Sequence, residues 1–266
     1  MLIRKLIILS LGFILVACET TRKTETGNIG RTVKPSAEGR FNKIEAAEKR
    51  VGYGLTYIKY HNYTRAKFHL DKALEYNPKS GNVHYGLGIY YQRIKEREKA
   101  REHFEEALSI DNKKPEYMNA FGAFLCEGGE YKKAEAEFQK AIKVPTYTDI
   151  ASAFYNIGLC ALKQNNIDKA DDYFRKALNR DRHRPDALIE MAKIEFIKKR
   201  YSRVLDYVRR FESSAATTSE SAWLGLKAAH YLRDKDTIAK YGVILEERFP
   251  DSEETAEYLD NKRQWM

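Results

Sequence analysis

The feature that most constrains how this 266-residue chain can fold is a small residue that returns at a nearly fixed spacing. Glycine recurs at intervals of 34, 34 and 36 residues, at Gly54, Gly88, Gly122 and Gly158. Alanines follow each glycine by twelve residues, at Ala66, Ala100, Ala134 and Ala170, and again by nineteen. A large apolar residue follows each glycine by sixteen, at Leu70, Phe104, Phe138 and Phe174. Such a period predicts repeated units that pack on their neighbours, not one central core.

A 34-residue period with this pattern is the signature of the tetratricopeptide repeat, a pair of antiparallel helices. Small residues let the two helices approach closely where they cross, and a neighbouring large side chain fills the remaining space. We therefore predict an all-α fold: a right-handed superhelix of about six helical hairpins with a short C-terminal capping helix. The predicted units are about 47–80, 81–114, 115–148, 151–184, 185–217 and 219–250. The last two have lost much of the pattern, and Ala192 replaces the glycine in the fifth.

The N-terminus precedes the repeats and predicts a cellular compartment. Arg4 and Lys5 are followed by an apolar stretch, residues 6–16, of the length expected for a secretory signal peptide. The stretch ends in Leu-Val-Ala-Cys at residues 15–18, which resembles a bacterial lipobox. We predict a lipoprotein signal peptide at 1–17, a lipidated Cys18 with a flexible tether at 18–42, and the repeat domain at 43–266. Lipoproteins that are retained in the inner membrane carry Asp directly after the lipidated cysteine. This chain has Glu19 at that position, which implies localisation to the periplasmic face of the outer membrane.

The two other cysteines lie inside the repeats. Cys126 follows its repeat glycine by four residues, and Cys160 follows its own by two. An oxidising compartment permits a disulfide, but a bridge requires the Cα atoms to lie within about 7 Å. Because the two positions differ, we expect the side chains to point in different directions. The prediction is two buried thiols.

The remaining composition indicates a protein that binds proteins. The formal net charge of +9 is spread along the chain without a long basic run, which argues against nucleic acid. No second His or Cys stands at ligand spacing from His183, so we predict no metal. The glycines at 52 and 54 lack the third glycine of a nucleotide-binding loop. We predict no enzyme activity, no catalytic residues, no small-molecule substrate and no cofactor besides the covalent lipid.

A concave groove is the predicted binding surface. In tetratricopeptide folds the first helices line it, at positions about three before, one after and four after the repeat glycine. The predicted groove residues are Val51, Leu55, Ile58, Tyr85, Ile89, Tyr155 and Leu159. This lining is strongly apolar. Two interpretations remain open: the groove grips an apolar segment of a partner, or tight curvature packs these side chains on one another or on the tether.

Two sequence segments are more specific than the repeat pattern. Asn119-Ala120-Phe121-Gly122 followed by Leu125-Cys126, and Tyr155-Asn156 followed by Cys160, resemble the PilF/PilW family of type IV pilus lipoproteins. The resemblance implies an outer-membrane pilotin that binds subunits of the pilus secretin and promotes their outer-membrane localisation and multimerisation. The alternative is another periplasmic tetratricopeptide scaffold lipoprotein, in outer-membrane protein assembly or as an adaptor for a cell-wall enzyme.

Overall fold

The computed structural model describes residues 42–265, apart from the side chains of Arg263 and Gln264. The predicted signal peptide, Cys18 and the tether before residue 42 lie outside the described residues. Within residues 42–265 the chain forms fourteen helices and no strand. In this same region, no helix combines the length and the apolar character needed to cross a membrane.

Twelve of the helices form six antiparallel hairpins. The first three hairpins are α1 (Lys43–Lys59) with α2 (Tyr63–Tyr76), α3 (Gly81–Arg93) with α4 (Arg97–Ile110), and α5 (Pro115–Glu127) with α6 (Tyr131–Ile142). The next three are α7 (Ile150–Lys163) with α8 (Ile167–Arg180), α9 (Pro185–Ile197) with α10 (Tyr201–Ser214), and α11 (Ser219–Leu232) with α12 (Lys235–Arg248). Two short helices, α13 (Glu253–Asp260) and α14 (Lys262–Trp265), follow in place of one capping helix. The predicted all-α repeat architecture is confirmed.

Each repeat glycine lies directly against the large residue sixteen positions later. A Cβ atom added at Gly54 would lie 2.6 Å from Leu70 Cγ, and one at Gly122 would lie 2.8 Å from Phe138 Cδ1. Gly88 and Gly158 make the same approach to the rings of Phe104 and Phe174. The alanines at the twelfth position are fully buried. The period in the sequence is therefore the period of a close helix contact.

The fifth and sixth hairpins form the same close contact between their two helices, but with different residues. In the fifth, Ala192 takes the glycine position, and the residue sixteen later is the smaller Val208; both are fully buried. In the sixth, Gly225 again faces a large ring, with an added Cβ only 2.5 Å from Tyr241 Cε2. The repeat pattern does not reveal this last pair, because Thr237 stands where the alanine is expected.

The turn inside every hairpin contains one residue in the left-handed backbone region. These residues, with φ between 55° and 80°, are His61, Lys95, Gly129, Asn165, Lys199 and Arg233. Only one of the six is glycine, although a residue with a Cβ pays about 1–2 kcal/mol for this conformation.

Replacing Lys95 by glycine should therefore stabilise the protein by about 0.5–1 kcal/mol, since relief of backbone strain outweighs the added freedom of the unfolded chain. Urea unfolding measures the change. Glu102→Gly, at an exposed position inside α4, is the matched control and should destabilise by about 1 kcal/mol. Destabilisation by both substitutions would contradict the role assigned to the turn.

The third and fourth hairpins are joined covalently. Cys126 on α5 and Cys160 on α7 form a disulfide, with their Cα atoms 5.8 Å apart. Both side chains are buried, as predicted, but the prediction that they remain thiols is wrong. Elsewhere in the stack, lateral contacts between neighbouring first helices join residues at different separations, for example 32 apart in Tyr85 with Tyr117 and 37 apart in Asn119 with Asn156. A difference of two positions within the repeat is therefore no obstacle to contact.

Candidate partner-binding groove

A cavity of about 350 Å³ opens on the first helices of the second, third and fourth hairpins. Helices α3, α5 and α7 supply most of its lining, and two residues before α7 and one before α9 complete it. The lining comprises Tyr85, Ile89, Gln92, Arg93, Glu116, Asn119, Ala120, Ala123, Tyr147, Asp149, Ser152, Tyr155, Asn156 and Arg184. We call this cavity the groove.

The structure separates the predicted groove residues into three groups: residues that line the groove, half-buried residues that pack against core clusters, and residues buried in the core. Tyr85, Ile89 and Tyr155 line the groove. Leu55 and Leu159 are half-buried and pack against neighbouring core clusters.

Two predicted groove residues belong to the core. Val51 and Ile58 are only 5% and 6% exposed, within the cluster formed by the first two hairpins. Their assignment to the groove is wrong, because position in the repeat identifies a helix face but not whether the next hairpin covers it.

The groove contains a residue supplied by an irregularity of the repeat. The segment between α6 and α7 is two residues longer than the period requires, and Tyr147 lies within it. Tyr147 is buried and belongs to a small cluster with Met118, Ala141 and Ala153. The insertion therefore places a tyrosine in the groove.

Amide and guanidinium groups make the groove much more polar than predicted. Asn156 Nδ2 donates a hydrogen bond to Asn119 Oδ1 at 3.1 Å, linking α7 to α5. Arg184 Nη1 donates to Ser152 Oγ at 3.0 Å, and its Nε lies 2.9 Å from Asp186 Oδ1. The guanidinium carbon of Arg184 lies 5.1 Å from the centre of the Tyr155 ring. Asn156 and Arg184 lie outside the three positions per unit from which the groove residues were predicted.

Tyrosines form the other part of the lining. The Tyr85 ring stacks on Tyr117, with centroids 5.2 Å apart, and Tyr117 donates its hydroxyl hydrogen to Asn82 Oδ1 at 2.6 Å. Burial raises the pKa of Tyr155 to about 12, with smaller effects of Asp186 and Glu190. Burial also raises the pKa of Tyr85 and of Tyr147. These phenols therefore remain protonated at neutral pH, and each can both donate and accept a hydrogen bond.

This arrangement is suited to binding an extended polypeptide segment. Ring faces and Ile89 offer contacts to side chains, while amides and hydroxyls can pair with main-chain groups that would otherwise lose their hydrogen bonds to water. Over residues 42–265, no three His, Cys, Asp or Glu side chains converge as a metal site would require.

Comparison with known proteins agrees with this architecture. Two tetratricopeptide repeat family models match residues 57–120 and 151–183. The type IV pilus assembly protein PilF of Pseudomonas aeruginosa is 28% identical over 218 residues, covering 82% of this chain and 86% of that protein. The solved structure of Pseudomonas aeruginosa PilF superposes with a TM-score of 0.70 at 30% identity, covering 82% of this chain and 98% of that one. The chain belongs to the PilF/PilW family of type IV pilus biogenesis proteins.

A second solved structure supports this assignment. PilW, described as a widely conserved type IV pilus biogenesis factor, matches with a TM-score of 0.70 and 27% identity over 80% of this chain and 98% of its own. The family resemblance stated from the sequence is thus confirmed. The tetratricopeptide repeat is a scaffold for protein contacts and is typically not catalytic.

Proposed function

We propose that this protein is a pilotin: an outer-membrane lipoprotein that binds subunits of the type IV pilus secretin and promotes their outer-membrane localisation and multimerisation. The observation that carries the proposal is the groove, because it combines stacked tyrosines with amide side chains in a scaffold of the PilF/PilW family. A surface of this kind holds a polypeptide segment and does no chemistry on it.

The division of labour within the chain follows from this proposal. The lipid on Cys18 addresses the protein to the periplasmic face of the outer membrane, and the groove holds the secretin subunit. Anchoring would raise the local concentration of captured subunits at the membrane and favour their assembly into a ring. Cys18→Ala should therefore abolish acyl labelling and outer-membrane fractionation while leaving the repeat stack folded.

Filling the groove should abolish secretin binding. Ala123 is half-buried and lines the groove, so Ala123→Arg adds a bulky cation there without removing a core side chain. We expect at least a tenfold loss of affinity for the purified periplasmic region of the secretin, because binding would then have to bury an unpaired charge. Surface plasmon resonance gives the affinity, and circular dichroism shows whether the helices are intact.

The same hairpin supplies the control. Ala136 is exposed on α6, and Ala136→Arg should bind the secretin as the unmodified protein does. Equal affinity of the folded Ala123→Arg variant would exclude the groove as the binding site. Absence of any secretin binding by the unmodified protein would exclude the pilotin function itself.

A further inference from the structure

The turns of the fifth and sixth hairpins expose large apolar side chains. Ile197, Tyr231 and Leu232 are 60%, 57% and 40% exposed. Ile197 lies five residues after the repeat position, where the first four hairpins carry charged residues: Lys59, Arg93, Glu127 and Lys163. The apolar surface is therefore a departure from the repeat and is not required by it.

Aromatic stacking holds these two turns together. Tyr201 and Tyr231 stack with ring centroids 4.3 Å apart and planes at 7°. Phe196 packs edge-on against both rings, with centroids 5.5 and 6.0 Å away. We call Phe196, Ile197, Tyr201, Tyr231 and Leu232 the turn patch.

Basic residues surround the turn patch. Lys199, Arg200 and Arg233 are exposed. Lys199 and Arg233 form no ion pair with any described carboxylate, and Arg200 Nη1 lies 3.6 Å from Glu195 Oε2. Lys198 differs from these because Asp168 and Asp171 engage it. Two exposed cations are thus available beside an exposed apolar surface.

The aromatic surface continues toward the C-terminus of the stack. The His230 ring lies 5.7 Å from Tyr231 and 4.9 Å from Trp265. Trp265 lines an apolar cavity of about 360 Å³, whose lining also includes Ile238, Val243, Tyr258, Lys235, Lys262 and Glu246. Lys262 is paired with Glu246, so the available cations beside the turn patch remain those of the two turns.

We propose that the turn patch and its flanking cations form a second, protein-based contact with an anionic lipid surface. Tyrosine and tryptophan favour the boundary between headgroups and acyl chains, because one part of the ring is apolar and another is polar. Basic residues beside them are attracted to anionic headgroups. The patch offers both classes of side chain on one edge, and the cations favour an anionic lipid over a neutral one. This contact is independent of the groove and of the secretin.

Vesicle binding tests the proposal without interference from the lipid anchor. Residues 19–266, which contain the whole described stack, are sedimented with phosphatidylglycerol-containing vesicles and with pure phosphatidylcholine vesicles. We expect binding to the anionic vesicles only, weakening as salt is raised. Lys199→Glu with Arg233→Glu should lower the partition coefficient by at least about 25-fold, since each lost cation is worth about fivefold at an anionic surface. Ile197→Ser with Leu232→Ser should lower it roughly tenfold.

Matched variants on the opposite edge of the stack complete the experiment. Lys113→Glu with Lys114→Glu changes the net charge equally at an exposed turn between hairpins. Ile110→Ser removes an exposed apolar side chain on that edge. Both should bind vesicles almost as the unmodified protein does. Equal losses in these controls, or equal binding to neutral vesicles, would overturn the proposal. The proposal would also be overturned if the protein did not bind vesicles and instead bound a purified pilus protein through Ile197 and Leu232.

Discussion

Reducing the disulfide between Cys126 and Cys160 should lower the free energy of unfolding by about 4 kcal/mol. The bridge closes a segment of 34 residues, and the loss of unfolded-chain entropy for a loop of this length corresponds to about that value. Both cysteines are buried, so the thiols of the reduced protein remain packed and the effect isolates the covalent link. Guanidinium unfolding with and without reductant measures it.

The double variant Cys126→Ala, Cys160→Ala is the control, because its stability should not respond to reductant. Hydrogen exchange should place the loss of protection in α5 to α8, the hairpins that the bridge joins, since each repeat contacts mainly its neighbours. A reduced protein as stable as the oxidised one would show that the bridge contributes nothing to folding.

Gly122→Ala should destabilise the protein by about 2 kcal/mol, although it adds only one methyl group. That carbon would lie 2.8 Å from Phe138 Cδ1 and 3.2 Å from the Ala134 carbonyl oxygen. The carbonyl belongs to the backbone of α6, so the two helices must move apart, and overpacking of this kind costs about 1–3 kcal/mol. Thermal unfolding of the variant tests the expectation.

The fifth hairpin suggests the compensating change. There alanine at the glycine position is paired with valine sixteen residues later, in Ala192 and Val208. Phe138→Val alone should cost about 3 kcal/mol by leaving a cavity. Combined with Gly122→Ala, the total should fall short of the sum by about 1–2 kcal/mol, because the new methyl group occupies part of the vacated space. Additive costs would mean that the two positions do not share one contact.

The fold was predictable because close packing leaves a local trace in the sequence. A glycine and a phenylalanine sixteen residues apart report a single contact between two helices, and that contact recurs once per unit. In the fifth hairpin the glycine is replaced by the larger Ala192 and the phenylalanine by the smaller Val208. The contact persists there, but the sequence pattern is no longer recognisable. Tyr241 shows the same limit, since it packs on Gly225 without the usual alanines.

The groove was only partly predictable. Position in the repeat selected Tyr85 and Ile89, which line the cavity, but it also selected Val51 and Ile58, which are buried in the core. Depth depends on how neighbouring hairpins are twisted and displaced, which no single unit encodes. The disulfide was not predicted for the same reason. Contact between neighbouring first helices depends on how the helices cross, and the two cysteines need not occupy the same position of the repeat.

The two-residue insertion before α7 places one segment where it serves both the groove and the stack. Tyr147 lines the groove and is also buried in a cluster with Met118, Ala141 and Ala153, so it fixes the segment to the neighbouring hairpins. The residues on either side, Thr146 and Thr148, are exposed. These positions lie outside the repeat period, and they can be redesigned to alter which segment the groove accepts without removing a core side chain. The disulfide between α5 and α7 keeps the two helices joined during such changes.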